Sequence, residues 1–405
     1  MVYAIPHQQQ HLVNFYTPAT KIQNENEQQY MQEFQKLKLY DQHSREETEE
    51  DIGSRFKYVG EDCQPASSWQ TTSRPTCNMI HEIDLLNFES ESNIRSVYYS
   101  DTSDRVFYLG KGHHRNVWEV QKRGKAQSSS SSFVLKTLRI DRNFTEAGLE
   151  MHRIDALGMD ELTHSPNVVD IYGYCAQSAM NEIGVGDLHK AEKIFEGKNR
   201  QRKRKSKYTD LKKLELAVNV ASSVADLQEI DKEKGPLMVH RDIGPANMLV
   251  MSDGRVKLND FNSARMIYGN HHGLCGYHDE FLCGQDSRRA DTRSPEECLG
   301  DVLSEKVDTY AIGTILFFLL TGERAYHYHK DDLKIAFDND LVRAAIRNGK
   351  GPRLPSSIED TNDPAIVALR TAMRQALTHD PVKRPSARKI AEYLKLALST
   401  IHLQQ

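Results

Sequence analysis

Strand-like and helix-like runs occupy separate blocks of this chain, and that segregation limits the folds open to it. "RVFYLG" (105–110), "NVWEVQKR" (116–123) and "SSFVLKTLRI" (131–140) are short runs of strand character. "NVVDIYGYC" (167–175) and "AMNEIGVG" (179–186) resume it. Between them, from 144 to 162, Met151, Ile154, Leu157, Met159 and Leu162 recur at helical spacing. Past 210 helical periods dominate: 210–230, opening on Asp210 as a cap, then 306–321, 331–348, 364–378 and 386–400. Strands first and helices afterwards predict an α+β chain with a small sheet-based lobe joined to a larger helical one. Inside 306–321, "VDTYAIGTILFFLL" is apolar on nearly every face, so that helix must be buried. Its longest apolar run, 311–320, is too short to cross a bilayer, and no membrane segment is expected.

Hydrophobic residues make up 38% of the 405, which leaves part of the chain outside any core. That part is residues 1–95, rich in Gln, Asn, Ser and Glu without sustained periodicity, and it is expected to be a disordered polar tail. Its first residues show no basic stretch followed by an apolar run, so no signal peptide is expected. Lys plus Arg total 53 against 57 acids, a formal charge of −4, which argues against specific nucleic-acid binding. Six cysteines (63, 77, 175, 275, 283, 298) form no CxxC pair, and a reducing interior, cytoplasmic or nuclear, suits them. Residues 198–207, "KNRQRKRKSK", are a basic run that serves either as an import signal or as a solvated insertion.

The chemistry concentrates in "LMVHRDIGPANMLV" (237–250), two apolar strands around a polar loop. His240-Arg241-Asp242 followed by Asn247 matches the H-R-D-x4-N catalytic loop. Other parts stand in order around it. "LGKGHHRNV" (109–117) offers glycines at a strand–turn–strand, "FVLK" ends on Lys136, "LNDFN" (258–262) supplies Asp260, and "SPEE" (294–297) follows.

With these motifs the sequence resembles the eukaryotic-type protein kinases over domain residues 104–400. The resemblance implies a bilobal kinase-like fold, an antiparallel-sheet N-lobe (104–183) and a helical C-lobe (184–400), with ATP and Mg²⁺ as cofactors and a protein substrate. It implies that Leu109 and Val117 cover the adenine and Leu249 lies beneath it. Gly110 and Gly112 would drape backbone over the phosphates, and Lys136 would hold the α- and β-phosphates. Asp242 would orient the incoming hydroxyl and accept its proton, and Asn247 and Asp260 would hold Mg²⁺. Glu182 and Ile183 would offer hinge hydrogen bonds to adenine. Glu296 would pair with Arg384, and Asp308 would tie the apolar helix to the catalytic loop.

Four positions depart from the family pattern. Arg115 replaces the third glycine, making the loop tip stiffer and more cationic. Asn262 replaces the glycine after Asp260-Phe261, a residue tolerant of left-handed backbone. The helix after Lys136 lacks the usual glutamate; Asp155 fits best as the partner of Lys136, with Glu150 the alternative. Gly244 replaces a lysine, so the acceptor, Ser/Thr or Tyr, is not legible, and Arg115 at the loop tip is expected to supply part of the missing charge. Arg241 would pair with a phosphorylated residue among Tyr268, Tyr277, Ser287 and Thr292. His271, His272, Cys275, His278 and Cys283 could supply zinc ligands or simply line a polar loop. Three functions stay open: a protein kinase, a pseudokinase serving as a nucleotide-binding or scaffolding module, and small-molecule phosphotransfer.

Overall fold

The computed structural model describes residues 56–60, 62–71, 105–122, 131–139, 141–190, 209–279, 283, 290–326 and 339–404. The basic run 198–207 and Ser287 lie outside them, as does the first part of the helix expected over 331–348.

The strand-like runs form one antiparallel sheet in the order β2-β3-β4-β6-β5. Its members are β2 (Arg105–Lys111), β3 (Arg115–Lys122), β4 (Ser131–Leu138), β5 (Ile171–Cys175) and β6 (Ser178–Asn181). Alternation decides which face is dry. Val106, Trp118, Val120, Phe133, Leu135 and Met180 pack together on one side. Val117, Lys136 and Ala179, cross-strand partners of one another, share the opposite face.

Helix α1 (Glu146–Glu161) follows β4 in the chain. Thr145 caps it by accepting the Gly148 amide. Ile154, Leu157 and Met159 join the large core, so the helix is shared by both lobes. Gly158 is required there by packing: a Cβ would lie 2.7 Å from Met238 Sδ and 3.2 Å from Phe261 Cδ1.

The larger lobe is built on α2 (Asp210–Gln228), α3 (Pro295–Leu299), α4 (Lys306–Thr321), α5 (Asn339–Arg347), α6 (Ser356–Glu359), α7 (Pro364–Ala376) and α8 (Ala387–Gln404). Helix α4 is the apolar run, buried on every side from Val307 to Phe317. Helix α3 opens on a capping box, the Ser294 amide donating to Glu297 and the Glu297 amide to Ser294 Oγ. Arg384, 1% exposed, donates to both Glu296 oxygens at 2.6 and 2.9 Å, so those two motifs meet as the resemblance implies. Short ladders carry the loops between helices: β7 (Gly186–Asp187), β9 (Met248–Val250) and β10 (Val256–Leu258) in one, β8 (Met238–Val239) with β11 (Arg265–Met266) in another.

Two expectations fail here. Within the stretch read as a disordered tail, residues 56–71 dock on the larger lobe. Strand β1 (Phe56–Val59) pairs with β14 (Gly276–Asp279), and Gln70, fully buried, donates to Ile267 O at 2.9 Å and Leu237 O at 3.3 Å. A polar composition misled, because backbone pairing, one buried amide and two rings, Tyr58 and Trp69 packed on buried clusters, anchor this segment. The cysteines among the described residues are not thiols either. Cys63 is bonded to Cys275 and Cys283 to Cys298, and Cys175 is disulfide-bonded as well. The expectation of free thiols, from which a reducing interior follows, is therefore not met at these residues. The disulfides also remove the cysteines that a zinc site over 271–283 would have used, and the described residues hold no cluster of metal-ligating side chains.

Candidate active site

The catalytic loop is held from below by α4. Asp308, in that helix's first turn, accepts the His240 amide at 2.6 Å and the Arg241 amide at 2.8 Å. Burial pushes its carboxyl up to about 6, against the opposing pull of His240 and the two amides. The clamp holds Arg241 at φ +66°, a left-handed backbone that a side-chain-bearing residue adopts only when its surroundings impose it. Next along the loop, Asn247 donates through Nδ2 to both the backbone oxygen and Oδ2 of Asp242, each at 2.8 Å. The amide thereby orients Asp242 and keeps its own Oδ1 as an acceptor.

On the sheet side, Lys136 is 9% exposed and donates to Asn259 Oδ1 at 3.3 Å. Burial lowers its pKa, with Asp155 pulling the other way. Asn259 also gives its backbone oxygen to the His240 ring at 3.3 Å and its amide to Asn247 O at 2.9 Å. It therefore joins sheet, catalytic loop and metal loop, a role invisible in the sequence except as the neighbour of Asp260. Asp260 sits at φ +67° with Oδ1 buried and without a hydrogen-bond partner among the described residues. A buried carboxylate oxygen without a donor is the acceptor a cation takes, and one carboxylate, one amide oxygen and phosphates suit Mg²⁺. Asp260 and Asn247 fit the metal they were expected to hold.

Of the residues expected to face the nucleotide, Val117 shares the sheet face of Lys136 and the glycines stand at its rim. Gly110 adopts φ +153°, a backbone open to glycine, and is the cross-strand partner of Val117, itself the partner of Lys136. The Gly112 amide closes the turn on Arg115 O at 2.8 Å. Leu109 is 47% exposed at the loop's base, and Leu249, half-buried, lies on β9. The Glu182 amide is spent on Asp170 O at 2.9 Å and its carboxylate on Lys257 at 2.6 Å, whereas the Ile183 amide donates to no group among the described residues.

Other expectations need correcting. Arg115 is not a cation at the loop tip: it is 4% exposed and donates to Asp155 Oδ2 at 2.6 Å and Asn262 Oδ1 at 3.0 Å. Asp155 in turn pairs with Arg115 and accepts the Phe261 amide at 2.7 Å, and among the described residues it makes no ion pair with Lys136. Burial raises its pKa, but Arg115 and Lys136 outweigh that and hold it below its ordinary value. Glu150, the alternative, is exposed and bonded to Arg153. Asn262 lies in a 3-10 turn; the left-handed residue is Asp260. Arg241 makes its ion pair with Asp279, an acid the sequence reading passed over, and Tyr277, one of the proposed phosphorylation sites, is fully buried.

A two-lobed α+β fold with a clamped H-R-D loop, a buried strand lysine and an orphaned loop aspartate defines a protein kinase domain. The family profile described as protein tyrosine and serine/threonine kinase matches residues 105–394, and the chain belongs to that family. It is 28% identical over 293 residues to the dual specificity protein kinase shkD of Dictyostelium discoideum, covering 71% of this chain and 34% of that protein. It is 26% identical over 291 residues to the probable serine/threonine-protein kinase roco5 of the same organism, covering 69% of this chain and 9% of that protein. Against the MDIS1-interacting receptor like kinase 2 of Arabidopsis thaliana it is 23% identical over 301 residues, covering 71% of this chain and 26% of that protein. The chain thus spans about a third or less of the length of these relatives.

Proposed function

We propose that the chain transfers the γ-phosphate of ATP to a hydroxyl of a protein substrate. The observation that carries this is the convergence of Asp242, Asn247, Asn259 and Lys136 in one hydrogen-bonded group, with Asp260 next to Asn259 in the chain and its buried Oδ1 without a partner among the described residues. Asp242, fixed by Asn247, receives the proton of the attacking hydroxyl as its oxygen bonds to the γ-phosphorus and the bond to the β-phosphate oxygen breaks. Lys136 holds the α- and β-phosphates from the sheet. Asp260 and Asn247 would hold Mg²⁺, which when bound would neutralise charge on the phosphates. Little covalent help is needed, and positioning with charge is what these residues provide.

The test is labelled ATP with purified protein, with and without generic acceptors containing Ser, Thr and Tyr, beside Asp242→Asn and Asp260→Ala. Transfer that Asp242→Asn removes, and an ATP-induced rise in melting temperature that needs Mg²⁺ and fades in Asp260→Ala, support the kinase. A rise without any transfer would assign the chain to the pseudokinases, and equal transfer by Asp242→Asn would sink the assignment of this site.

A further inference from the structure

Three departures from the kinase pattern meet at one point. Arg115 stands where a third glycine is usual, Asp155 where a helix glutamate is usual, and Asn262 where a glycine follows the Asp-Phe pair. One nitrogen of the Arg115 guanidinium reaches both partners, Asp155 Oδ2 at 2.6 Å and Asn262 Oδ1 at 3.0 Å. The second Asp155 oxygen takes the amide of Phe261, the residue between Asp260 and Asn262. Aspartate is one methylene shorter than glutamate, and Lys136 turns to Asn259 instead.

Resting on the protein-kinase reading, we propose that Arg115 is a positioning residue that takes over the ion pair to the helix from Lys136, and that the three substitutions form one device. An arginine at the glycine position brings a cation to the mouth of the phosphate loop, but its buried setting directs it inward to the helix. That one nitrogen carries two hydrogens, so it serves a carboxylate and an amide oxygen together, and the guanidinium, more weakly hydrated than an ammonium, suits the buried position. A glycine at 262 would leave the second acceptor absent, and a glutamate at 155 would crowd the same nitrogen. Through this cluster β3, α1 and the turn after Asp260 are tied together, and the backbone that presents Asp260 is set by Asp155. The Lys136 ammonium still feels the charge of Asp155, but among the described residues its hydrogen bond goes to the neutral amide oxygen of Asn259, which leaves it available to phosphate.

The experiment compares steady-state kcat and KM for ATP in wild type, Arg115→Gly, Arg115→Lys, and the triple variant Arg115→Gly/Asp155→Glu/Asn262→Gly, which restores the family residues. Arg115→Gly should lower kcat on the order of 10²-fold, the cost of misplacing catalytic groups by about 1 Å, with a smaller change in KM. Arg115→Lys should retain part of the rate. The triple variant should regain roughly 10-fold over Arg115→Gly, the coupling that contacting residues show. Should Arg115→Gly fail to fold, Arg115→Gln/Asp155→Asn replaces the ion pair with a neutral pair and should fold with a reduced kcat. An unchanged kcat in Arg115→Gly or in the neutral pair overturns the proposal while leaving the kinase assignment intact. A triple variant no better than the product of its single substitutions overturns it too. If wild type transfers no phosphate, the Mg²⁺-dependent thermal shift by ATP carries the same comparison: a shift weakened by Arg115→Gly and restored in the triple variant keeps the proposal and ends the kinase assignment. No shift in wild type ends both.

Discussion

Gly244 has extended backbone, φ −166°, and no atom lies within 4 Å of the place its Cβ would take. Neither conformation nor packing requires a glycine, so its presence removes a cation without a structural return. Arg115, the residue expected to compensate, is turned away into the Asp155 cluster. Gly244→Lys should therefore fit without distortion and raise kcat, by roughly 10- to 10²-fold if the amine reaches the transferring phosphate, with KM for ATP little changed. Steady-state kinetics on purified variant and wild type decide it; an unchanged kcat would mean that charge at this place is already supplied. The residue scale also shows where a one-letter substitution misleads. Asn262 reads as a glycine substitute for a left-handed turn, yet its side chain, not its backbone, is what the fold uses.

Helix α1 carries more of the site's electrostatics than its motifs announce. His152 on this helix is 2% exposed, and its pKa is lowered to about 3 by burial first and by Arg115 second, with Asp155 opposing and the His114 ring 6.0 Å away. The folded protein keeps this imidazole neutral, while the unfolded chain takes up a proton near its ordinary pKa of 6.5. A lowered folded value means stability that is present above pH 6.5 and lost as pH falls toward 3. Chemical unfolding at pH 7 and pH 5 should show wild type losing about 2 kcal/mol relative to His152→Gln over that interval. Parallel pH profiles for the two proteins would remove His152 as the cause. The helix period was readable from Met151, Ile154 and Leu157, because burial of an apolar stripe is a local pattern. The partner of Asp155 was not, because Arg115 is 40 residues away and reaches it only through the sheet's register.

Across the whole molecule, residues 56–71 bind the larger lobe to the small one. Ser67 donates to Asp231 at 2.8 Å, Tyr58 stacks on Tyr268 with centroids 4.5 Å apart, and Arg153 of α1 donates to Gln70 O at 3.1 Å. The Cys63–Cys275 bond closes a separation of 212 residues and joins this segment to the loop carrying Asp279, the partner of Arg241. Closing a loop of that length restricts the unfolded chain, and disulfides typically contribute about 2–4 kcal/mol. Cys63→Ser/Cys275→Ser should lose stability of that order in urea unfolding, and peptide mapping under non-reducing conditions should recover the linked pair. Recovery of both peptides as thiols from unreduced protein would contradict the bond.

The sequence alone determined the two-lobe α+β plan, the order of its elements and the H-R-D, Asp260 and Lys136 positions, because periodicity and short motifs are properties of neighbours along the chain. It also determined that α4 is buried, since a helix apolar on every face has no other stable place. Tertiary structure decided the rest. Asn259 as the partner of Lys136, Asp279 as the partner of Arg241, the docking of residues 56–71 and the pairing of the cysteines all join residues far apart in the chain. Such contacts are chosen by register and burial: a polar side chain enclosed by the fold takes the donor or acceptor that packing brings to it, and composition does not record which one that is.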